Sequence, residues 1–211
     1  MIGILFVDDH NIVHQGLTFI LEENRDMKIV AGCTSGFEAL NWLRENDCDV
    51  VLVDIAMPGM SGIDLLKQLQ KEKPGLPVLI LSAYPEDQYA VRLIRAGAAG
   101  YLNKECMPEE VVSAIRCVMN GKRYISPAVV EMLANELSMP DKKLPHEALS
   151  NREFQIFLLF ASAKTITEIA GILKLSTNTI STYRKRILEK MHLSTNAELM
   201  LYAVENHLKQ P

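Results

Sequence analysis

Five short apolar runs alternate with amphipathic stretches over the first 120 residues, and this alternation constrains the fold more than any other feature. The runs fall at residues 2–7, 27–33, 50–54, 77–82 and 100–103. Three of them are almost purely apolar, as expected for strands covered on both faces. The stretches between and after them, at 11–23, 37–46, 63–73, 86–96 and 108–120, carry helical periodicity. Five strand–helix units in this order predict an α/β fold, a five-stranded doubly wound parallel sheet. In such sheets chemistry gathers at the carboxyl ends of the strands.

The pattern then changes. Residues 126–137 read as one more helix, with Pro127 in its first turn. The segment SMPDKKLPHEA at 138–148 has two prolines and mixed charge, as a linker has. Beyond residue 149 no strand pattern occurs. Four short helices fit at 151–161, 167–173, 178–191 and 196–207, a small all-α domain. The predicted domains are therefore 1–122, a linker with one helix at 123–144, and 145–211. Charge divides similarly. Residues 1–141 hold 12 Lys+Arg against 20 Asp+Glu, whereas 142–211 hold 10 against 6. An acidic front and a basic back suggest different partners, with nucleic acid one candidate for the back. No run reaches the roughly 18 apolar residues of a membrane span. The start MIGILFVDDH lacks the basic head and long apolar core of a signal peptide, so a cytoplasmic location without membrane association is expected. The four cysteines, Cys33, Cys48, Cys106 and Cys117, show no close metal-ligand spacing and read as reduced packing residues.

Asp8 and Asp9 follow the first run directly, and Asp54 closes the third. In a doubly wound sheet these strands are neighbours where the strand order reverses, so three carboxylates converge on one pocket. Crowded carboxylates repel unless a cation or proton intervenes. Oxygen ligands favour a hard ion such as Mg2+, which keeps several waters and leaves room for phosphate oxygens. Ser82 ends the fourth run and can hydrogen-bond a phosphoryl oxygen. Lys104 follows the fifth and supplies a mobile cation. Tyr101 lies within the fifth strand, where its ring can turn inward or outward. Nucleophile, charge neutralisation and positioning together describe phosphoryl transfer. Each part has a plainer alternative, since Asp9 can also cap the helix that follows it. His10 and His14 stand near the pocket on no metal-site spacing, and His10 reads as a helix-entry residue. No Gly-rich loop follows the first run, which argues against a dinucleotide cofactor.

Near the C-terminus, the segment TITEIAGILKLSTNTISTYRKRILEKM places two short helices around the tight turn 174–176. Thr167 is expected to begin the first, which buries Ile169, Ala170 and Leu173. Ser176 or Thr177 caps the second. This is helix-turn-helix spacing, and the second helix of such a motif enters a major groove. Ile180, Tyr183, Ile187 and Met191 form its expected buried stripe. The opposite face holds Asn178, Ser181, Thr182, Lys185 and Glu189, flanked by Arg186. Lys185 is the best candidate for reading a base, with Ser181 and Thr182 as weaker contacts. Thr177, Thr179 and Arg186 suit phosphates. Arg184 falls nearer the buried side. A protein-binding helical bundle is the alternative.

Residues 1–120 resemble a response-regulator receiver domain, with a flavodoxin-like sheet, through FVDDH, VVLVDIAMPGMSGIDLL, VLILSAY and GAAGYLNKE. The resemblance implies that Asp54 accepts phosphate from a sensor histidine kinase. It implies that Asp9 binds Mg2+ directly, Asp8 mainly through water, and the Ala56 carbonyl as a further ligand. Ser82 and Tyr101 match the family's switch pair and Lys104 its essential lysine. Glu105 stands where many receivers have Pro. The C-terminal segments LSNREFQIF, TEIAGILKLSTNTISTYRKRILEKM and NAELMLYA resemble the LuxR-type DNA-binding domain. Three positions depart from it: Ala163 where Gly is usual, Ser181 where Lys or Arg is common, and Tyr183 where His is frequent. The order of the two resemblances is that of NarL/FixJ-type response regulators. They imply a transcriptional regulator that binds double-stranded DNA as a homodimer and catalyses only its own phosphoryl transfer and slow dephosphorylation. A receiver-controlled adaptor with a degenerate DNA-binding domain is the rival. A metal-dependent phosphatase lacks a second positioned acid or base beside Asp54.

Overall fold

The apolar runs become strands because neighbours cover them on both faces. In the computed structural model, β1 (Ile2–Val7), β2 (Met27–Cys33), β3 (Val50–Val53), β4 (Val78–Ser82) and β5 (Gly100–Asn103) form one parallel sheet. Its order is β2-β1-β3-β4-β5. Residues 1–138, 144–206 and 208 are described, and the chain divides into two units, Met1–Met132 and Leu133–Pro211. Every residue of β3 and β4 is buried, whereas the edge strand β2 alternates in exposure. Each fully buried Val, Ile or Leu contributes roughly 1.5–3 kcal/mol relative to exposure. That preference fixes the interior position of the runs. β3 ends one residue before Asp54, which leaves that side chain at the strand's carboxyl end.

The intervening helices are α1 (Asn11–Glu22), α2 (Gly36–Glu45), α3 (Gly62–Glu72), α4 (Glu86–Arg95) and α5 (Pro108–Met119). Side chains fix two of these starts. Ser35 accepts from the Glu38 amide at 3.3 Å, and Ser61 from the Asp64 amide at 3.2 Å. Pro108 opens α5, where its missing N–H costs nothing. After α5 the chain returns to the sheet edge. Tyr124 donates its amide to the Ala99 carbonyl at 2.8 Å and makes a single parallel bridge to Gly100. The helix α6 (Pro127–Ser138) follows.

The expected linker is partly structured. Pro145–Ala148 forms a 3₁₀ turn, and His146 Nδ1 lies 2.9 Å from the Tyr202 hydroxyl. Residues 139–143 lie outside the described residues. The second unit holds α7 (Asn151–Ala161), α8 (Ile166–Leu173), α9 (Thr177–Met191) and α10 (Asn196–Glu205). Position 207, expected in the last helix, is also outside the described residues. Ser150, Thr165, Ser176 and Thr195 cap these helices. Ser150–Glu153 and Thr165–Glu168 close reciprocal capping boxes. The structure thereby chooses Ser176 over Thr177 as the cap, and α8 starts one residue before Thr167. The core joins Phe154, Phe157 and Phe160 to Ile169, Ile180, Ile187 and Leu199. Glu153 is buried beside it. Burial pushes its carboxyl up, but Lys190 at 2.6 Å and the Ser150 amide at 2.7 Å outweigh that and hold it below the usual range.

Candidate functional site

Strand order reverses between β1 and β3, and the acidic residues stand at that point. The Asp54 amide donates to the Val7 carbonyl at 2.9 Å, and the Asp8 amide donates to the Cys33 carbonyl at 3.0 Å. These bonds hold the two backbones side by side. Asp8 is 0% exposed and Asp54 2%, so neither carboxylate is well solvated. Lys104 Nζ reaches both, 2.7 Å from Asp8 Oδ2 and 3.2 Å from Asp54 Oδ2. Burial pushes the Asp54 carboxyl up. Lys104 pulls it back, and the charge of Asp8 raises it again. The Ala56 N–H donates to the Asp54 carboxylate and favours its ionised form.

Asp9 joins them. One ligand atom from each of Asp8, Asp9, His10 and Asp54 lies within 4.8 Å of the others. Lys104 lies against Asp8 and Asp54, and three carboxylates gathered this closely suit a divalent cation. Oxygens dominate the donor set, so a hard ion fits. His10 sits at the N-cap of α1 but makes no side-chain cap bond. Its ring instead lies 2.9 Å from Asp8 Oδ1 and 3.3 Å from Asp9 Oδ1, on the exposed side. The sequence places it at helix entry correctly but gives no hint of this second contact.

Two further groups close the pocket. Ser82 is fully buried, and its Oγ accepts from the Tyr84 amide at 3.2 Å. Tyr101 turns inward, at 5% exposure, which settles a choice the sequence leaves open. Its hydroxyl donates to the Tyr84 carbonyl at 2.6 Å and also bonds Ser82. Burial raises the phenol well above its ordinary value. Recruiting Ser82 to a phosphoryl oxygen would cost Tyr101 a partner, so the two residues are coupled. Gly62, which sequence reasoning passed over, lies behind Asp54. A Cβ there would sit 1.9 Å from the Asp54 carbonyl oxygen.

In the second unit, Lys174 caps the C-terminus of α8, and its φ of 49° turns the chain into α9. Asn178, Ser181, Thr182, Lys185, Arg186 and Glu189 are exposed. The Ser181 hydroxyl donates to the Thr177 carbonyl at 2.9 Å, and the Thr182 hydroxyl to the Asn178 carbonyl at 3.0 Å. Both side chains are then left to accept rather than donate. Thr179 Oγ1 lies 2.8 Å from Ser176 Oγ, inside the cap. Arg184 Nε donates to Asn196 Oδ1 at 2.6 Å, which agrees with its phase toward the interior. The expected stripe needs one correction. Ile180, Ile187 and Met191 are buried, but so is Leu188, whereas Tyr183 is only half-buried. At about 100° per residue the stripe centres near Arg184, and Tyr183 falls on its shoulder. There it lines a shallow notch of about 350 Å³ with Asn178, Thr179, Thr182 and Arg186.

Residues 4–116 match the response regulator receiver domain, and residues 147–203 match the luxR family of bacterial regulatory proteins. This chain is a response regulator of the NarL/FixJ type. Response regulator UvrY of Escherichia coli K12 is 36% identical over 209 residues, 99% of this chain and 96% of UvrY. Response regulator GacA of Pseudomonas aeruginosa is 39% identical over 207 residues, 98% of this chain and 97% of GacA. A structure of two RcsB dimers bound to two parallel DNAs aligns with a TM-score of 0.59 at 25% identity, covering 96% of this chain and 98% of that one. The response regulator therefore couples a receiver to a LuxR-type DNA-binding domain. Its departure at Ala163 has a visible consequence. The residue adopts φ 59°, a conformation in which Gly avoids a Cβ clash of about 1–2 kcal/mol. Among the described residues no helix of the regulator is long and apolar enough to cross a membrane.

Proposed function

We propose that this response regulator is phosphorylated on Asp54 by a sensor histidine kinase in the cytoplasm and that the phosphorylated form binds double-stranded DNA as a homodimer. The observation that carries the reading is the Asp54 carboxylate, buried at the strand-order reversal with Lys104 3.2 Å away and two further acids beside it. Asp8, Asp9, Asp54 and the Ala56 carbonyl would hold Mg2+, which when bound neutralises charge on the transferring phosphoryl group. An Asp54 carboxylate oxygen attacks the phosphorus of the kinase's phosphohistidine. The P–N bond breaks with its electrons passing to the imidazole, and an acyl phosphate forms. Lys104 offers its ammonium to the new phosphoryl oxygens, and Ser82 exchanges Tyr101 for one of them. The added charge biases a two-state equilibrium. On this reading the domain boundaries lie near 122 and 145, on either side of the division between Met132 and Leu133.

For DNA the reading assigns base contact to Lys185, acceptor contacts to Ser181 and Thr182, and a polar contact to Asn178. Thr177, Thr179 and Arg186 meet phosphates. The dimer is supported by the DNA-bound RcsB dimers. A binding selection on randomised duplexes, run with and without beryllofluoride at several salt concentrations, tests the assignment. Lys185→Ala is expected to cost roughly 1–3 kcal/mol at the selected site and to relax preference at one base position. Arg184→Ala is expected to leave base preference intact, because Asn196 holds its guanidinium. A uniform loss over all sequences would make Lys185 a phosphate contact. A changed preference in Arg184→Ala alone would overturn the phasing of α9.

A further inference from the structure

Two residues outside the transfer chemistry meet behind the acidic pocket. His14 lies in the first turn of α1, and Gly32 is the penultimate residue of β2. The His14 ring is half-buried and meets Phe6 edge-on, with centroids 4.6 Å apart. Its Nε2 lies 2.8 Å from the backbone carbonyl of Asp8. A carbonyl only accepts, so Nε2 carries the proton and donates. The other edge of the ring faces Gly32. A Cβ at Gly32 would lie 2.8 Å from His14 Nδ1 and 3.0 Å from Cε1. The ring thus fills the space that any side chain at position 32 would need.

This contact acts on one peptide group. The Asp8 amide is held by β2 through the Cys33 carbonyl, and the Asp8 carbonyl is held by α1 through His14. That carbonyl belongs to the peptide joining Asp8 to Asp9, so its orientation sets where the Asp9 carboxylate points. Nε2 is engaged with the backbone and Nδ1 faces β2, so the imidazole is not placed as a ligand of the pocket. An apolar filler would supply the contact with Phe6 but not the bond to Asp8.

We propose that His14, seated on the bare backbone of Gly32, is a positioning residue that fixes the Asp8–Asp9 peptide and thereby sets the pocket's affinity for Mg2+. The proposal rests on the reading of Asp8, Asp9 and Asp54 as the Mg2+ site. Supporting groups of this kind are worth about 10–100-fold in metal affinity.

The test is calorimetric titration of the full-length protein with Mg2+, alongside thermal melting of each variant. His14→Phe keeps the ring and loses the donor, and its Mg2+ affinity is expected to fall about 10-fold. His14→Gln restores an N–H at a similar reach and is expected to stay within about 3-fold of wild type. Gly32→Ala is expected to weaken Mg2+ by displacing the ring. Combined with His14→Phe it should add little, because both act on one contact. Wild-type affinity in His14→Phe overturns the proposal, as does a His14→Gln variant as weak as His14→Phe. If His14→Phe fails to fold, unchanged affinity in Gly32→Ala overturns it. Asp9→Ala separates the two levels. If it binds Mg2+ as wild type does, the pocket is not the Mg2+ site and the proposal falls with that reading. If Asp9→Ala loses Mg2+ while His14→Phe does not, only the proposal fails.

Discussion

Asp54→Asn is expected to carry no phosphate after incubation with acetyl phosphate and Mg2+, where wild type gains one phosphoryl mass. The effect is all-or-none because the amide is a poor nucleophile and, of the two buried acids that Lys104 reaches, only Asp54 stands at the end of the central strand β3. The same substitution has a second, opposite effect. Burial raises the Asp54 carboxyl in the folded protein, with Lys104 opposing and Asp8 reinforcing the rise. A group whose folded pKa lies above its unfolded value stabilises the fold below the unfolded pKa. That stability is lost as pH rises through the folded pKa. Above its folded pKa the ionised Asp54 is therefore a cost that Asn removes. Asp54→Asn is expected to be more stable than wild type by roughly 1–3 kcal/mol without Mg2+. The advantage should shrink in acid, where Asp54 is protonated, and also when Mg2+ is added. Chemical unfolding followed by circular dichroism at several pH values reads both trends. Undiminished labelling of the variant would remove Asp54 from its role.

Gly62→Ala is expected to be the most damaging single-methyl change near the pocket. The new Cβ would lie 1.9 Å from the Asp54 carbonyl oxygen and 2.7 Å from Val53 Cγ1. The first of these is backbone at the centre of the sheet and cannot swing aside. Either α3 shifts as a body or β3 does, and both routes displace Asp54. A loss of roughly 3–5 kcal/mol in the first unit is expected, with phosphorylation reduced in whatever remains folded. Gly16→Ala is the matched control, since nothing lies within 4 Å of a Cβ there and the position is helical. It should be neutral or stabilising by about 0.5–1 kcal/mol. Equal melting curves for the two variants would show that α3 can move away cheaply.

Much of this architecture is legible in the residues because several physical signals coincide. Runs such as VVLV permit no exposed face, so β3 follows from composition alone. In the structure the helix starts at Ser150, Thr165 and Thr195 each place Glu three residues on, a spacing that helical periodicity leaves out of account and that moves the start of α8 ahead of Thr167. The carboxylates converge because strand order dictates it. What stays hidden depends on distant approach. Gly62 looks like any glycine until the start of α3 is laid against the Asp54 backbone. His14 and Gly32 are 18 residues apart, on different elements, and only the fold brings the ring over the bare backbone. The half-burial of Tyr183 escapes a periodicity argument because a stripe has shoulders, and aromatic character alone does not say which side of a shoulder a ring takes. Residues 145–148 resemble linker in composition, yet His146 ties them to Tyr202 in the second unit.

The central claim is that phosphate on Asp54 governs DNA binding by the C-terminal unit. Its most direct test is fluorescence anisotropy of a duplex carrying the selected site. Wild type and Asp54→Asn are each titrated with and without beryllofluoride and Mg2+. Coupling between two sites of this kind is typically about 5–150-fold. The account predicts that beryllofluoride tightens wild-type binding by at least about 5-fold and leaves Asp54→Asn unchanged. Wild-type affinity that is indifferent to beryllofluoride, or an equal gain in Asp54→Asn, would contradict it.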